Sequence, residues 1–332
     1  MARLKGGEAK VVPLHLNYLT FLYLMPKSLI ILLGPTGVGK TDLSIDIARY
    51  FRTEIISCDS RQIYKEMMIG TAVPDRQTLE IIPHHFIRSH SIHDQFNARK
   101  FEIEVLERLE SLFQIRDIVL MTGGSMLYIE ALCKGLDDFP DVDPELRQEL
   151  MNRLEKEGIA QLQNELLELD PTYHSEVDLQ NPKRILHALE ICLMTGHPYS
   201  ELRTNQTRIR PFNILKIGLN CDREVLYERI NQRVDKMFED GLEKEVNHLQ
   251  PFSQLNSLNT VGYRELFEYF DGKITLEQAK EKIKANSRKY ARKQLTWFRR
   301  DPEITWFTPA MKDEIIAFIS EQLTLDRALH QI

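Results

Sequence analysis

Gly34-Pro35-Thr36-Gly37-Val38-Gly39-Lys40-Thr41 decides the fold of this chain. It fits G-x-x-x-x-G-K-[ST] in full. Immediately upstream runs Ser28-Leu29-Ile30-Ile31-Leu32-Leu33, the apolar stretch of a buried parallel strand, and Asp42-Leu43-Ser44-Ile45-Asp46-Ile47-Ala48 follows with helical spacing. Strand, glycine loop and helix form the context in which this motif cradles phosphate. The glycines let backbone N–H groups converge on phosphate oxygens, and the helix N-terminus adds a partial positive charge. Lys40 contributes a full charge, and the Thr41 hydroxyl can ligate a Mg²⁺ bridging the phosphates. Gly34, Pro35, Thr36, Gly37, Val38, Gly39, Lys40 and Thr41 are therefore candidate diphosphate binders, with Thr41 the candidate metal ligand. The chain binds a di- or triphosphate, and its use of that group has to be read elsewhere.

Hydrolases and kinases of this architecture hold Mg²⁺ with an acidic residue closing a second apolar strand. Here the best later strand, Asp117-Ile118-Val119-Leu120-Met121, ends in Thr122-Gly123-Gly124-Ser125 with no carboxylate. A carboxylate appears instead at Asp59, after Glu54-Ile55-Ile56-Ser57-Cys58. In a doubly wound sheet both strand ends open onto the crevice above the phosphate loop, which would gather Asp59, Ser125 and a pyrophosphate at one site. That grouping suits a base and a hydroxyl over a phosphate-bearing substrate. Asp59 equally suits a plain Mg²⁺ ligand or the N-cap of the next helix.

Alternation of strand and helix from Leu29 to about Cys133 predicts an α/β fold, a P-loop NTPase-like doubly wound parallel sheet with a helical insertion domain. Phe101 to Leu109 reads as an amphipathic helix on that sheet. The segment Asp137-Asp138-Phe139-Pro140-Asp141-Val142-Asp143-Pro144 opens a purely helical stretch, with helices expected over 145–157, 159–169 and 182–194. Strand pattern returns only at Ile214-Leu215-Lys216-Ile217-Gly218-Leu219, so residues 139–211 are read as the insertion. Residues 25–138 and 212–332 then make the core, closing in basic helices.

Lys+Arg 43 against Asp+Glu 49 gives a net charge of −6, which argues against a general nucleic-acid binder. Yet Lys282, Lys284, Arg288, Lys289, Arg292, Lys293, Arg299 and Arg300 lie in a stretch free of acids, with Tyr290, Trp297 and Phe298 among them. Such a stripe is either a phosphate-backbone footprint with stacking platforms or a solvated helix face with aromatic anchors. The four scattered cysteines, Cys58, Cys133, Cys192 and Cys221, suit a reducing cytoplasm and form no zinc motif. His84-His85 and His90…His93 lack a second ligand cluster and read as structural histidines. Leu14 to Leu24 is apolar but interrupted, has no small-residue cleavage site and is too short to cross a bilayer. Met25 is the expected natural start, with residues 1–24 a dispensable extension, and a cytoplasmic monomer without membrane contact is expected.

Several blocks together resemble the bacterial tRNA dimethylallyltransferases (tRNA isopentenyltransferases). They are the phosphate loop, Asp59-Ser60-Arg61-Gln62-Ile63-Tyr64-Lys65, Ile69-Gly70-Thr71-Ala72-Val73-Pro74, Pro83-His84-His85, Gly123-Gly124-Ser125-Met126-Leu127-Tyr128 and Val261-Gly262-Tyr263-Arg264. The resemblance implies transfer of a dimethylallyl group from dimethylallyl diphosphate to N6 of adenosine 37, 3′ of the anticodon in tRNAs reading U-starting codons. It implies Asp59 as general base, with Ser125 where many members carry Thr. It implies tRNA contacts from Asp59, Ser60, Arg61, Gln62 and Ser125, and from Arg147, Gln180, Asn181, Pro182, Lys183 and Arg184, the insertion clamping the anticodon arm. Lys40 and Mg²⁺ would neutralise the leaving diphosphate while the amine loses its proton. Arg229 and Arg233 share a helix face, and Arg233 is the favoured reach to the diphosphate, against a solvated ion pair with Glu239. A prenyltransferase of free adenine nucleotides, a small-molecule kinase and an RNA-binding regulator are the rival readings.

Overall fold

The structure, a computed structural model, describes residues 27–140, 142–204 and 206–329. The expectation for residues 1–24 and Met25 lies outside the described residues. Six parallel strands form one sheet in the order β3-β2-β4-β1-β5-β6. They are β1 (Ser28–Leu33), β2 (Ile55–Cys58), β3 (His84–His85), β4 (Ile118–Gly123), β5 (Asn213–Leu219) and β6 (Ile304–Phe307). All six residues of β1 are buried, because β4 and β5 flank it and helices cover both faces. This is why its sequence is an unbroken apolar run instead of an alternating one. The phosphate loop leaves β1 at its C-terminal end and enters the helix Lys40–Tyr50.

Two strands depart from the sequence reading. β6 follows the basic helix Leu276–Phe298, where only helices are expected, and pairs with β5 from Lys216↔Ile304 to Leu219↔Phe307. Lys216, buried on β5, donates to Asp301 Oδ2 at 2.8 Å and Glu303 Oε2 at 2.6 Å, which ties the approach to β6 onto the sheet. β3 holds only His84 and His85; the His85 ring meets Glu54 Oε2 at 2.8 Å, a structural pairing.

The described residues divide into two compact units, one within 27–133 and 210–329 and the other within 134–209. The second is helical, with helices Pro144–Glu157, Ile159–Leu169, Pro171–Glu176, Pro182–Thr195 and Tyr199–Leu202. Three of them begin with proline just after a capping side chain: Asp143 accepts from the Glu145 amide, Asp170 from Tyr173 and Asn181 from Arg184. Proline loses nothing there, since the first helical N–H has no intrahelical partner. Leu150, Leu162, Leu166, Ile185 and Leu189 form the core of this unit.

Candidate active site

A cavity of about 570 Å³ opens above the C-terminal ends of β1, β2 and β4. The phosphate loop forms its floor through Thr36, Gly37, Gly39, Lys40 and Thr41. Gly37 has φ +81°, and a Cβ there would meet Ile230 Cγ1 at 2.9 Å, so the loop needs glycine both for its turn and for the approach of the helix Arg223–Glu239. Leu226, Ile230 and Val234 anchor that helix in the core. The same packing turns Arg229 and Arg233 to the cavity wall, where Arg229 donates to Val38 O at 3.2 Å and Arg233 to Thr71 O at 3.3 Å. Glu239 is engaged by Lys236, at 3.8 Å.

Lys40 folds back on its own loop and donates to Gly34 O at 2.9 Å and Pro35 O at 2.8 Å. Burial, then the neighbouring Arg233 guanidinium, push Lys40 down to about 7 against the opposing pull of Asp59. Arg233 is pushed down too, by burial, and only Asp59 acts in the other direction. Lys40 and Arg233 thus lie buried close together, and Asp59 is the carboxylate whose charge acts on both. Such a pair of buried cations suits an anionic ligand.

Asp59 leaves the end of β2 into the cavity. Its Oδ1 accepts from the Arg61 amide at 2.9 Å and the Gln62 amide at 3.2 Å, so the carboxylate caps its own turn and is fixed in orientation. Oδ2 accepts no hydrogen bond from a described residue. Ser60 and Arg61 are not among the lining residues: Arg61 reaches to Asn256 O at 3.1 Å and Ser257 O at 2.8 Å. Gln62 does line the cavity, and its Nε2 donates to Thr71 O and Ala72 O, both at 3.0 Å. Ser125 is buried below, its Oγ accepting the Ser60 amide at 2.8 Å, which leaves the hydroxyl proton to be donated elsewhere. Ser125 therefore braces the Asp59 turn.

Gln294 and Tyr290 are among the cavity residues that the sequence reading did not name as site residues. Gln294, buried on the helix Leu276–Phe298, accepts the Thr36 amide at 2.9 Å through Oε1 and donates to Gly124 O at 2.9 Å through Nε2. One neutral amide thus ties the phosphate loop to the turn after β4. The available signal was a glutamine on the stripe Ile283, Ala291, Gln294 and Phe298, whose other members are apolar and buried. Tyr290 also lines the cavity; burial and the charge of Asp59 push its phenol up to about 12. The rest of the basic stripe divides. Lys282 and Lys284 pair with Glu268 and Asp235, whereas Lys289, Arg292 and Lys293 are exposed.

The family model for IPP transferases matches residues 62–301. tRNA dimethylallyltransferase 1 of Phocaeicola vulgatus is 55% identical over 295 residues, spanning 89% of this chain and 98% of that one. The chain belongs to the tRNA dimethylallyltransferase family. It is thus a prenyl-transferring enzyme of tRNA modification. The crystal structure of the tRNA isopentenylpyrophosphate transferase of Bacillus halodurans superposes with a TM-score of 0.68 at 33% identity, covering 92% of this chain and 100% of that one. A eukaryotic dimethylallyltransferase acting on tRNA gives a TM-score of 0.69 at 28% identity over 82% of this chain and 69% of its own. Both support the α/β sheet read from the phosphate loop.

The remaining positions expected from the sequence to contact tRNA lie on the helical unit. Arg147 donates twice to the buried Glu190, at 2.6 and 2.7 Å, and still exposes half its side chain. Gln180, Asn181, Pro182, Lys183 and Arg184 form the capped start of the helix Pro182–Thr195, Asn181 serving as its N-cap. Among the described residues no helix is long and apolar enough to cross a membrane, and no cluster of three His, Cys, Asp or Glu could hold a metal.

Proposed function

We propose that this enzyme transfers the dimethylallyl group of dimethylallyl diphosphate to N6 of adenosine 37, 3′ of the anticodon in tRNAs reading U-starting codons. One observation carries the reading: a single cavity holds the phosphate loop with Lys40, Arg229 and Arg233 and also the oriented carboxylate of Asp59. The loop amides and these cations hold the diphosphate and take the charge that grows on it as the allylic C–O bond breaks. The adenine amine is a poor nucleophile and becomes acidic as its C–N bond forms. Asp59 Oδ2 accepts that proton, and diphosphate leaves. A flipped base suits a reaction set inside a cavity, and anticodon-loop bases are only partly stacked.

Mg²⁺ fits this site as a substrate-borne ion. Thr41 is exposed and lines the cavity, no cluster of three His, Cys, Asp or Glu suited to a metal occurs among the described residues, and Mg²⁺ is commonly held by one or two protein oxygens, waters and substrate phosphates. When bound, it supplies charge neutralisation to the diphosphate. The helical unit, through Arg147 and the 180–184 segment, and the exposed cations of the basic helix are assigned to the tRNA, and the protein is taken to act as a cytoplasmic monomer.

The test is label transfer from radioactive dimethylallyl diphosphate into unmodified tRNA with Mg²⁺, with free AMP as a parallel acceptor and Asp59→Ala alongside. The expected result is label in tRNA alone, at adenosine 37, falling about 10²–10⁴-fold in the variant while tRNA binding persists. Label in AMP but not in tRNA would move the chain to the nucleotide-prenylating branch.

A further inference from the structure

The Glu245 carboxylate lies on the helix Leu242–Leu249, outside the cavity lining. It gathers four donors. Its Oε2 accepts the amides of Met68 at 2.9 Å and Ile69 at 2.7 Å, and its Oε1 accepts the amide of Gly70 at 3.0 Å and the phenol of Tyr263 at 2.7 Å. Three consecutive backbone N–H groups pointing at one anion make a nest, a geometry that an unbound loop does not hold by itself. Tyr263 is fully buried and closes the arrangement from the other side; a Cβ on Gly70 would sit 2.6 Å from its ring. Burial, and then the Glu245 charge, push the Tyr263 phenol well up, so it stays a donor.

The carbonyls of the next two residues of this turn hold two residues that line the cavity. Thr71 O accepts from Arg233 at 3.3 Å and from Gln62 at 3.0 Å, and Ala72 O accepts from Gln62 at 3.0 Å. Ala72 has φ +49°, a left-handed conformation that alanine adopts only when its neighbours impose it. One carboxylate therefore fixes the turn whose carbonyls aim an arginine and a glutamine into the cavity.

We propose that Glu245 is a positioning residue for the transfer reaction: by clamping the 68–70 amides with Tyr263, it sets the carbonyls that hold Arg233 and Gln62 in catalytic alignment. The proposal rests on the cavity reading above.

The experiment compares wild type with Glu245→Gln, Glu245→Asp and Tyr263→Phe. Glu245→Gln keeps the shape but turns an NH₂ group toward N–H donors. It is expected to lower kcat by about 10–10²-fold with KM for tRNA within about threefold, since a displacement near 1 Å can cost about 10²-fold. Amide hydrogen exchange over residues 67–73 is expected to speed up by about 10-fold or more as the nest opens. Tyr263→Phe removes one donor of four and guards against misfolding; it is expected to fall between wild type and Glu245→Gln on both readouts. In a cycle with Arg233→Lys, the double variant is expected to be no slower than the worse single one, because both changes disable one device. Additive losses, or unchanged exchange over 67–73, overturn the proposal. The exchange arm needs no turnover, so a wild type inactive on tRNA would reject the cavity reading while this clamp is still judged.

Discussion

Lys40 gives the sharpest test of the cavity's electrostatics. Burial first, and then the Arg233 guanidinium beside it, push Lys40 down to about 7 from the ordinary 10.5, with Asp59 pulling the other way. A bound diphosphate places several negative oxygens against the ammonium and returns the group to the charged state across the working range. Binding must then take up a proton wherever the free lysine is neutral. For a pKa of about 7 the uptake is about 0.1 proton at pH 6, about 0.5 at pH 7 and about 0.9 at pH 8. The sign follows: affinity is greatest below pH 7 and falls by up to about tenfold for each unit above it. Titration calorimetry of inorganic diphosphate with excess Mg²⁺, in buffers of different ionisation enthalpy, reads the uptake directly. Diphosphate and Mg²⁺ carry protonation changes of their own, so the quantity that counts is wild type minus Lys40→Met. A difference near zero at pH 8 would refute the reasoning, because Lys40 would then be charged before any ligand arrives.

Gln294→Leu strands the Thr36 amide and the Gly124 carbonyl and is expected to cost about 1–3 kcal/mol in thermal or urea unfolding; calorimetry with diphosphate should show weaker binding as well. Gly123→Ala would place a Cβ 2.0 Å from Cys58 O, the backbone of the adjacent strand, so a loss of about 3 kcal/mol is expected, read as a lowered urea midpoint. Burial opposes the charge on Glu190, yet hydrogen bonds from Arg147 and His187 win and hold its pKa below the ordinary 4.5. Stability from this pair is therefore full above about pH 4.5 and lost as pH falls through the lower folded value, whereas Arg147→Ala, by stranding the buried carboxylate, should cost about 2–3 kcal/mol at pH 7. That figure sits below the fully buried case because half of Arg147 is exposed, and a variant as stable as wild type across that pH range would leave the guanidinium with no structural duty.

Local pattern carried the fold as far as chemistry is local. The strand, loop and helix from Ser28 to Tyr50 are contiguous, and six buried apolar residues before a glycine loop admit one reading. β6 escaped because Ile304-Thr305-Trp306-Phe307 is a four-residue edge strand, and its place is prepared elsewhere: Gly218 on β5 leaves room where a Cβ would lie 2.6 Å from Trp306. The cavity shows the same limit. Lys40, Asp59 and Arg233 stand out as charges, and the structure brings them to one space. Gln294 carries no charge, and its two hydrogen bonds span 258 and 170 residues, so no window of sequence contains them. Its neutrality has a physical reason. The tie between the phosphate loop and the turn after β4 needs one acceptor and one donor at the same point, which an amide supplies. A carboxylate there would give two acceptors facing Gly124 O and set a negative charge against the diphosphate. A lysine would leave the Thr36 amide without its acceptor and add another cation to a space where Arg233 already depresses Lys40. The amide alone closes the loop without altering the charge balance on which leaving-group departure depends.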